Sequence, residues 1–215
     1  MKPRHPHEPH RVATPLELFF DLVFVVAIAQ ASAGLHHAIA SGHAGEGVLW
    51  YGMVFFGIWW AWMNFTWFAS AYDPDDVPYR LTVFVQMTGA LLFTAGIESM
   101  FSQGSLGLAV AGYVVMRLAM ITQWLRAARN HPERRRTALR YAVGVGLAQL
   151  CWVGVLLLPE QPVVAIFFAL CAVELVIPVW AERGGSTPWH RHTSRRGSTT
   201  PTSCRSSPAG SSPST

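Results

Sequence analysis

Six apolar stretches of about twenty residues, at 16–40, 48–69, 81–100, 106–127, 137–158 and 162–181, fill the chain between residues 14 and 181. An α-helix rises ~1.5 Å per residue, so each stretch is close to the length that crosses the ~30 Å hydrocarbon layer of a bilayer. A soluble helical bundle would instead alternate apolar and charged faces at helical period, and these segments do not. Only 13% of the residues are charged, against the roughly 25% of a soluble domain. The mean hydropathy of +0.29 is diluted by polar ends. The reading is an all-α polytopic transmembrane helical bundle of six spans. Residues 1–13 form a disordered tail rich in basic residues and His, residues 14–183 the membrane domain, and residues 184–215 a second disordered tail.

The first span is no cleavable signal, because it is too long and carries Glu17 and Asp21 where a uniformly apolar segment belongs. Basic residues set the threading. Fifteen of the sixteen Lys and Arg fall before the first span, between the second and third, between the fourth and fifth, or after the sixth. The connections at 41–47, 101–105 and 159–161 hold none. Short loops rich in Lys and Arg stay cytoplasmic, which places both termini on the cytoplasmic side of a membrane that the chain crosses in multiple passes. The basic character (pI ≈ 9.3) follows from that asymmetry and needs no nucleic acid. Arg-rich loops also suit anionic lipid headgroups.

Charges inside the spans carry the functional information. A charge facing lipid at mid-membrane costs at least ~2.5–3.5 kcal/mol on insertion scales, so such residues turn inward and pair. From the rise per residue, Asp21 lies roughly 8 Å, Glu174 roughly 10 Å and Arg117 roughly 14 Å from the cytoplasmic end of its span. We therefore expect Asp21, Arg117 and Glu174 to form a buried charged cluster, with Glu17 below it at the cytoplasmic mouth. At about 100° per residue, Asp21, Ser32 and His36 fall about 40°, 60° and 100° from Glu17, a polar stripe along the first helix, whereas Gln30 falls at about 220°. Such a stripe either lines a pathway or bonds helices together. Trp59, Trp62 and Asn64, with Trp60, sit in mid-span in the second helix and are candidates to line a cavity or to pack between helices. Asp76 is placed to cap the third helix. Gly144 and Gly146, followed by Gln149, would allow close helix contact in the fifth, and Pro178 should kink or fray the inner end of the sixth.

Other chemistry is thinly represented. Cys151, Cys171 and Cys204 have no metal-type spacing and read as packing residues. His5, His7 and His10 and the His190/His192 pair lie in tails. No metal or cofactor is expected, and no catalytic residue is assigned.

The string Leu16-Glu17-Leu18-Phe19-Phe20-Asp21-Leu22-Val23-Phe24-Val25 closely resembles the signature of the bacterial low temperature requirement A (LtrA) family. The likeness continues through Trp59-Trp60-Ala61-Trp62, the Asp73-Pro74-Asp75 turn with Arg80 after it, Arg117, and Glu174-Leu175 followed by Pro178, covering about residues 14–192. Pro188-Trp189-His190-Arg191-His192 is similar to a His-rich segment beyond which family members continue. The chain thus resembles the N-terminal half of an LtrA protein, and the resemblance favours a frame change as the origin of the unrelated Ser/Thr/Pro/Arg tail. It names no substrate. The leading expectation is a solute or ion permease of the bacterial cytoplasmic (inner) membrane, proton-linked, using the charged cluster. The alternatives are a non-catalytic membrane scaffold or assembly factor, also in oligomeric form, and a lipid-modifying membrane enzyme. The last would draw on His36, His37 and Glu98, whose spacing is poor for it, so an enzyme is not expected.

Overall fold

The computed structural model describes residues 15–72, 76–157 and 163–183. Six helices, α1 (Pro15–Ala40), α2 (Ala44–Ala71), α3 (Val77–Gln103), α4 (Gly107–Asn130), α5 (Arg135–Leu156) and α6 (Val163–Glu182), coincide with the six apolar stretches. A short 3-10 turn, Pro132–Arg134, leads into α5. The tails, the Asp73-Pro74-Asp75 turn, the connection at 159–161 and Cys204 lie outside the described residues. Five helices are long and apolar enough to cross a membrane. The exception is α2, 28 residues long and carrying five tryptophans.

The helix ends follow local chemistry. Asp76 caps α3, its Oδ1 accepting from the Tyr79 backbone N–H at 2.9 Å, with Pro78 in the first turn where a missing N–H costs nothing. Gly104 closes the same helix at φ +64°, a left-handed conformation glycine adopts without strain. Pro132 follows the end of α4, since the residue before a proline is driven from helical geometry. Pro178, by contrast, lies inside α6, which continues to Glu182 and does not fray there. Packing in the bundle and self-contained hydrogen bonding of a helix in lipid outweigh the one bond the proline removes.

Successive helices run antiparallel, as short connections require. Phe20 stacks on Phe65 between α1 and α2, Trp124 on Tyr141 between α4 and α5, and Trp152 meets Phe167 between α5 and α6. The most intimate pair is α3 with α4. A Cβ on Gly112 would stand 2.3 Å from the Phe93 nitrogen, and one on Gly96 would stand 2.4 Å from the Ala109 nitrogen. Backbone thus meets backbone, the contact that small residues permit between helices. Of the two glycines expected to serve this purpose in α5, Gly144 abuts Ile177, where a Cβ would stand 2.7 Å away, whereas Gly146 has ordinary room, 3.7 Å to Ile121.

One end of the bundle gathers the described basic loops and is clipped together. Arg126 at the end of α4 pairs with Asp76 at the start of α3 at 2.6 Å. Tyr72 stacks on His131, Tyr141 donates to Glu182, and the Arg140 guanidinium lies over the Trp180 ring.

Candidate functional site

The centre of the site is on α4. Tyr113 and Arg117 are four residues apart and so share one face of the helix. The Arg117 guanidinium lies 4.6 Å from the Tyr113 ring centroid, and Nη2 donates both to the Tyr113 hydroxyl and to Glu174 Oε2 on α6, the latter at 2.8 Å. The Tyr113 hydroxyl donates to the same carboxylate oxygen at 2.9 Å, and Trp152 Nε1 on α5 donates to the other, Oε1, at 2.9 Å. Arg117 and Glu174 are only 2% and 3% exposed, so this is an ion pair removed from both lipid and water. Breaking one side of such a pair strands a buried charge, at about 3–5 kcal/mol.

The helix registers bring more polar groups to this depth. Gln149 is one turn from Trp152 on α5 and falls level with Arg117, while Gln86 reaches the same region from α3. Both are buried. Gln86 Oε1, both amide atoms of Gln149 and Arg117 Nε have no hydrogen-bond partner among the described residues. Gln123, lower on α4, is fully buried with its amide likewise unpartnered. Buried polar atoms are normally satisfied, and each exception calls for an explanation.

The structure separates Asp21 from this centre. Its carboxylate accepts from Trp62 Nε1 on α2 at 2.8 Å, and the residue is exposed at the bundle surface. The expected three-membered cluster is therefore a pair, Arg117–Glu174, with Asp21 held elsewhere by a tryptophan. The reason lies in the rotation of α1, which buries Phe20, Phe24, Ala27 and Ala31. That face is as apolar as the rest of the helix, so the sequence does not mark it. The polar stripe consequently points outward. Glu17 is half-buried, whereas Ser32 and His36 are exposed, Ser32 bonding back to the Ile28 carbonyl. Trp59 is exposed, Trp60 is buried, and Asn64 donates to the Trp60 carbonyl of its own helix.

A cleft of about 780 Å³ opens between α1, α2 and α3 at the end opposite the basic loops. It is lined by Gln30 and His37 of α1, the face away from the stripe, together with Glu46, Trp50 and Glu98. None of Ser32, His36, Trp59, Trp62 or Asn64 lines it. His37 and Glu98 thus share a cleft that His36 does not reach. Among the described residues no group of three or more His, Cys, Asp or Glu is arranged to hold a metal ion, and Cys151 and Cys171 are free thiols.

Sequence reasoning named Arg117 and Glu174 but missed Tyr113 and Trp152. Tyr113 was recoverable, since it stands one turn before Arg117. Trp152 was not, because its partnership depends on the α5–α6 register.

A helical bundle with five apolar helices of spanning length, closed around a buried Arg–Glu pair, defines a multi-pass integral membrane protein. More particularly, the chain belongs to the family of the bacterial low temperature requirement A protein (LtrA), whose model matches residues 12–194. It is 32% identical over 177 residues to the uncharacterized protein RA0937 of Rhizobium meliloti (strain 1021), a match covering 80% of this chain and 42% of that protein. The chain thus spans less than half the length of that relative. No solved structure matches.

Proposed function

We propose that the chain forms a membrane permease module for a small solute or ion, proton-linked, in which Glu174 is the binding or protonation group and Arg117 its counter-ion. The observation that carries this reading is the Arg117–Glu174 pair itself, 2–3% exposed in a bundle that must fold in lipid. Intramembrane ionisable residues mark ion, proton and substrate pathways by default. Static glue would satisfy its polar atoms. Here both amide atoms of the buried Gln149 have no hydrogen-bond partner among the described residues, which favours a site that receives something. Asp21, bonded to Trp62, is a second and more accessible acid on the basic-loop side, and the cleft with Glu46 and Glu98 is the opening at the other end. The basic ends face the cytoplasm of a bacterial inner membrane, and the surrounding partners are membrane lipids.

One observation favours the second reading, a non-catalytic scaffold. Glu174 accepts from Tyr113, Arg117 and Trp152 together, as a seam between three helices would. Uptake by proteoliposomes across a panel of ions and small solutes separates the two. The permease reading predicts concentrative uptake of at least one solute, abolished in Asp21→Asn with insertion and accumulation unchanged. An Asp21→Asn protein that fails to accumulate, or a chain that moves nothing on the panel, returns the scaffold reading.

A further inference from the structure

A cavity of about 10 Å³ is lined by Phe20 and Phe24 of α1, Ala61 of α2, Gln86 of α3 and Met116, Arg117 and Met120 of α4, with no residue of α6, the helix of Glu174. Two of its lining residues carry buried polar atoms with no hydrogen-bond partner among the described residues, and the two are complementary. Arg117 Nε–H is a donor that cannot accept, and Gln86 Oε1 is an acceptor. Arg117 is 98% buried by its 2% exposure and Gln86 is 3% exposed, so bulk solvent satisfies neither. A void of this size is about that needed for one water molecule, which also requires two or more polar partners. The remaining walls are apolar, and the stack of Phe20 on Phe65, with ring centroids 3.7 Å apart, backs the α1 side.

We infer that this cavity is a hydration site: one water accepts from Arg117 Nε–H and donates to Gln86 Oε1. Two faces of the guanidinium are then engaged in opposite directions. Nη2 binds the carboxylate of Glu174, and Nε binds a water on the α1 side. The charged centre is thereby extended across α4 toward the helix that carries Asp21. A chloride-sized anion is too large for the space, and an apolar occupant would leave both polar atoms stranded, so a water-sized molecule that both donates and accepts is the matching ligand class. Transport is not required for this site, so the permease reading can fail while the hydration site stands, and the reverse.

The cavity supplies its own reporters. Hydroxyl radicals generated by X-ray exposure from a bound water oxidise the side chains beside it, and Met116 and Met120 line this void while being only 5% and 2% exposed. Met87, 3% exposed and outside the lining, is the dry control. In the full chain in nanodiscs, Met116 and Met120 should be oxidised several-fold faster than Met87 on the millisecond scale. Gln86→Leu, which removes the acceptor and fills the space, should lower both to the Met87 rate, and Gln86→Asn should retain a faster rate. Equal rates at Met116, Met120 and Met87 in the unaltered chain overturn the inference, as does fast oxidation that persists in Gln86→Leu. Should Gln86→Leu fail to accumulate, the comparison within the unaltered chain decides.

Discussion

At the residue scale the decisive quantity is the asymmetry of a buried ion pair. Arg117 and Glu174 each compensate the other's desolvation, and Tyr113 and Trp152 each donate a further hydrogen bond to the carboxylate. Removing one charge therefore costs more than removing both. Arg117→Leu or Glu174→Leu should each lower stability by about 3–5 kcal/mol, and Arg117→Leu/Glu174→Leu should recover much of that loss, because no charge is then left unpaired. Thermal unfolding in detergent and steady-state accumulation of the three variants check this. A double variant as unstable as the sum of the singles would contradict the pairing. Asp21 belongs to a different class of residue: its carboxylate accepts from a neutral indole, and it lies at the bundle surface rather than in the core.

At the scale of elements, the α3–α4 seam and the clip at its base hold the site in register, since α4 presents Tyr113 and Arg117 to α6 only if its own position is fixed. Gly112→Ala places a methyl against the Phe93 and Gly89 backbones, which cannot swing aside as a side chain could. It should cost about 1–3 kcal/mol by overpacking, while Gly146→Ala should be nearly neutral. The melting temperatures of the two variants test the contrast. The clip has a pH signature. Burial raises the Asp76 carboxyl, but the hydrogen bond from Arg126, the Tyr79 backbone N–H and the Arg126 charge outweigh it, and the net direction is down from 3.8. A carboxyl lowered on folding contributes stability that is fully present above its unfolded value and lost as pH falls through the folded one. Stability should thus be flat toward neutrality on this account and decline below about pH 4, and Asp76→Asn should flatten that decline in a pH series of melting curves. Helix positions were legible because apolar run length and capping chemistry are local properties, as at Asp76 and Pro132. The glycine seam was not. Gly89, Gly96 and Gly112 look no different in sequence from Gly146, and only the register of α3 on α4 distinguishes them.

At the scale of the molecule, the same limit explains the site. Charge in a membrane chain is expensive, so Arg117 and Glu174 announced themselves as partners. Which third group would join them depended on the rotation of α1, and a helix apolar on every side gives no sign of the face it buries. The bundle that results has a basic, clipped end, a buried charge centre at mid-height, and an acidic cleft at the other end. The permease reading we propose rests on that arrangement, and proton movement through Glu174 is its simplest test. The deciding measurement is proton flux into proteoliposomes containing the chain or its Glu174→Gln variant, under an imposed pH gradient and at matched protein content. The account predicts flux well above that of empty vesicles for the unaltered chain and none above it for the fraction of Glu174→Gln protein that is folded and inserted, a variant less stable because the Arg117 charge is left unpaired. Equal flux per folded protein in the two would contradict it.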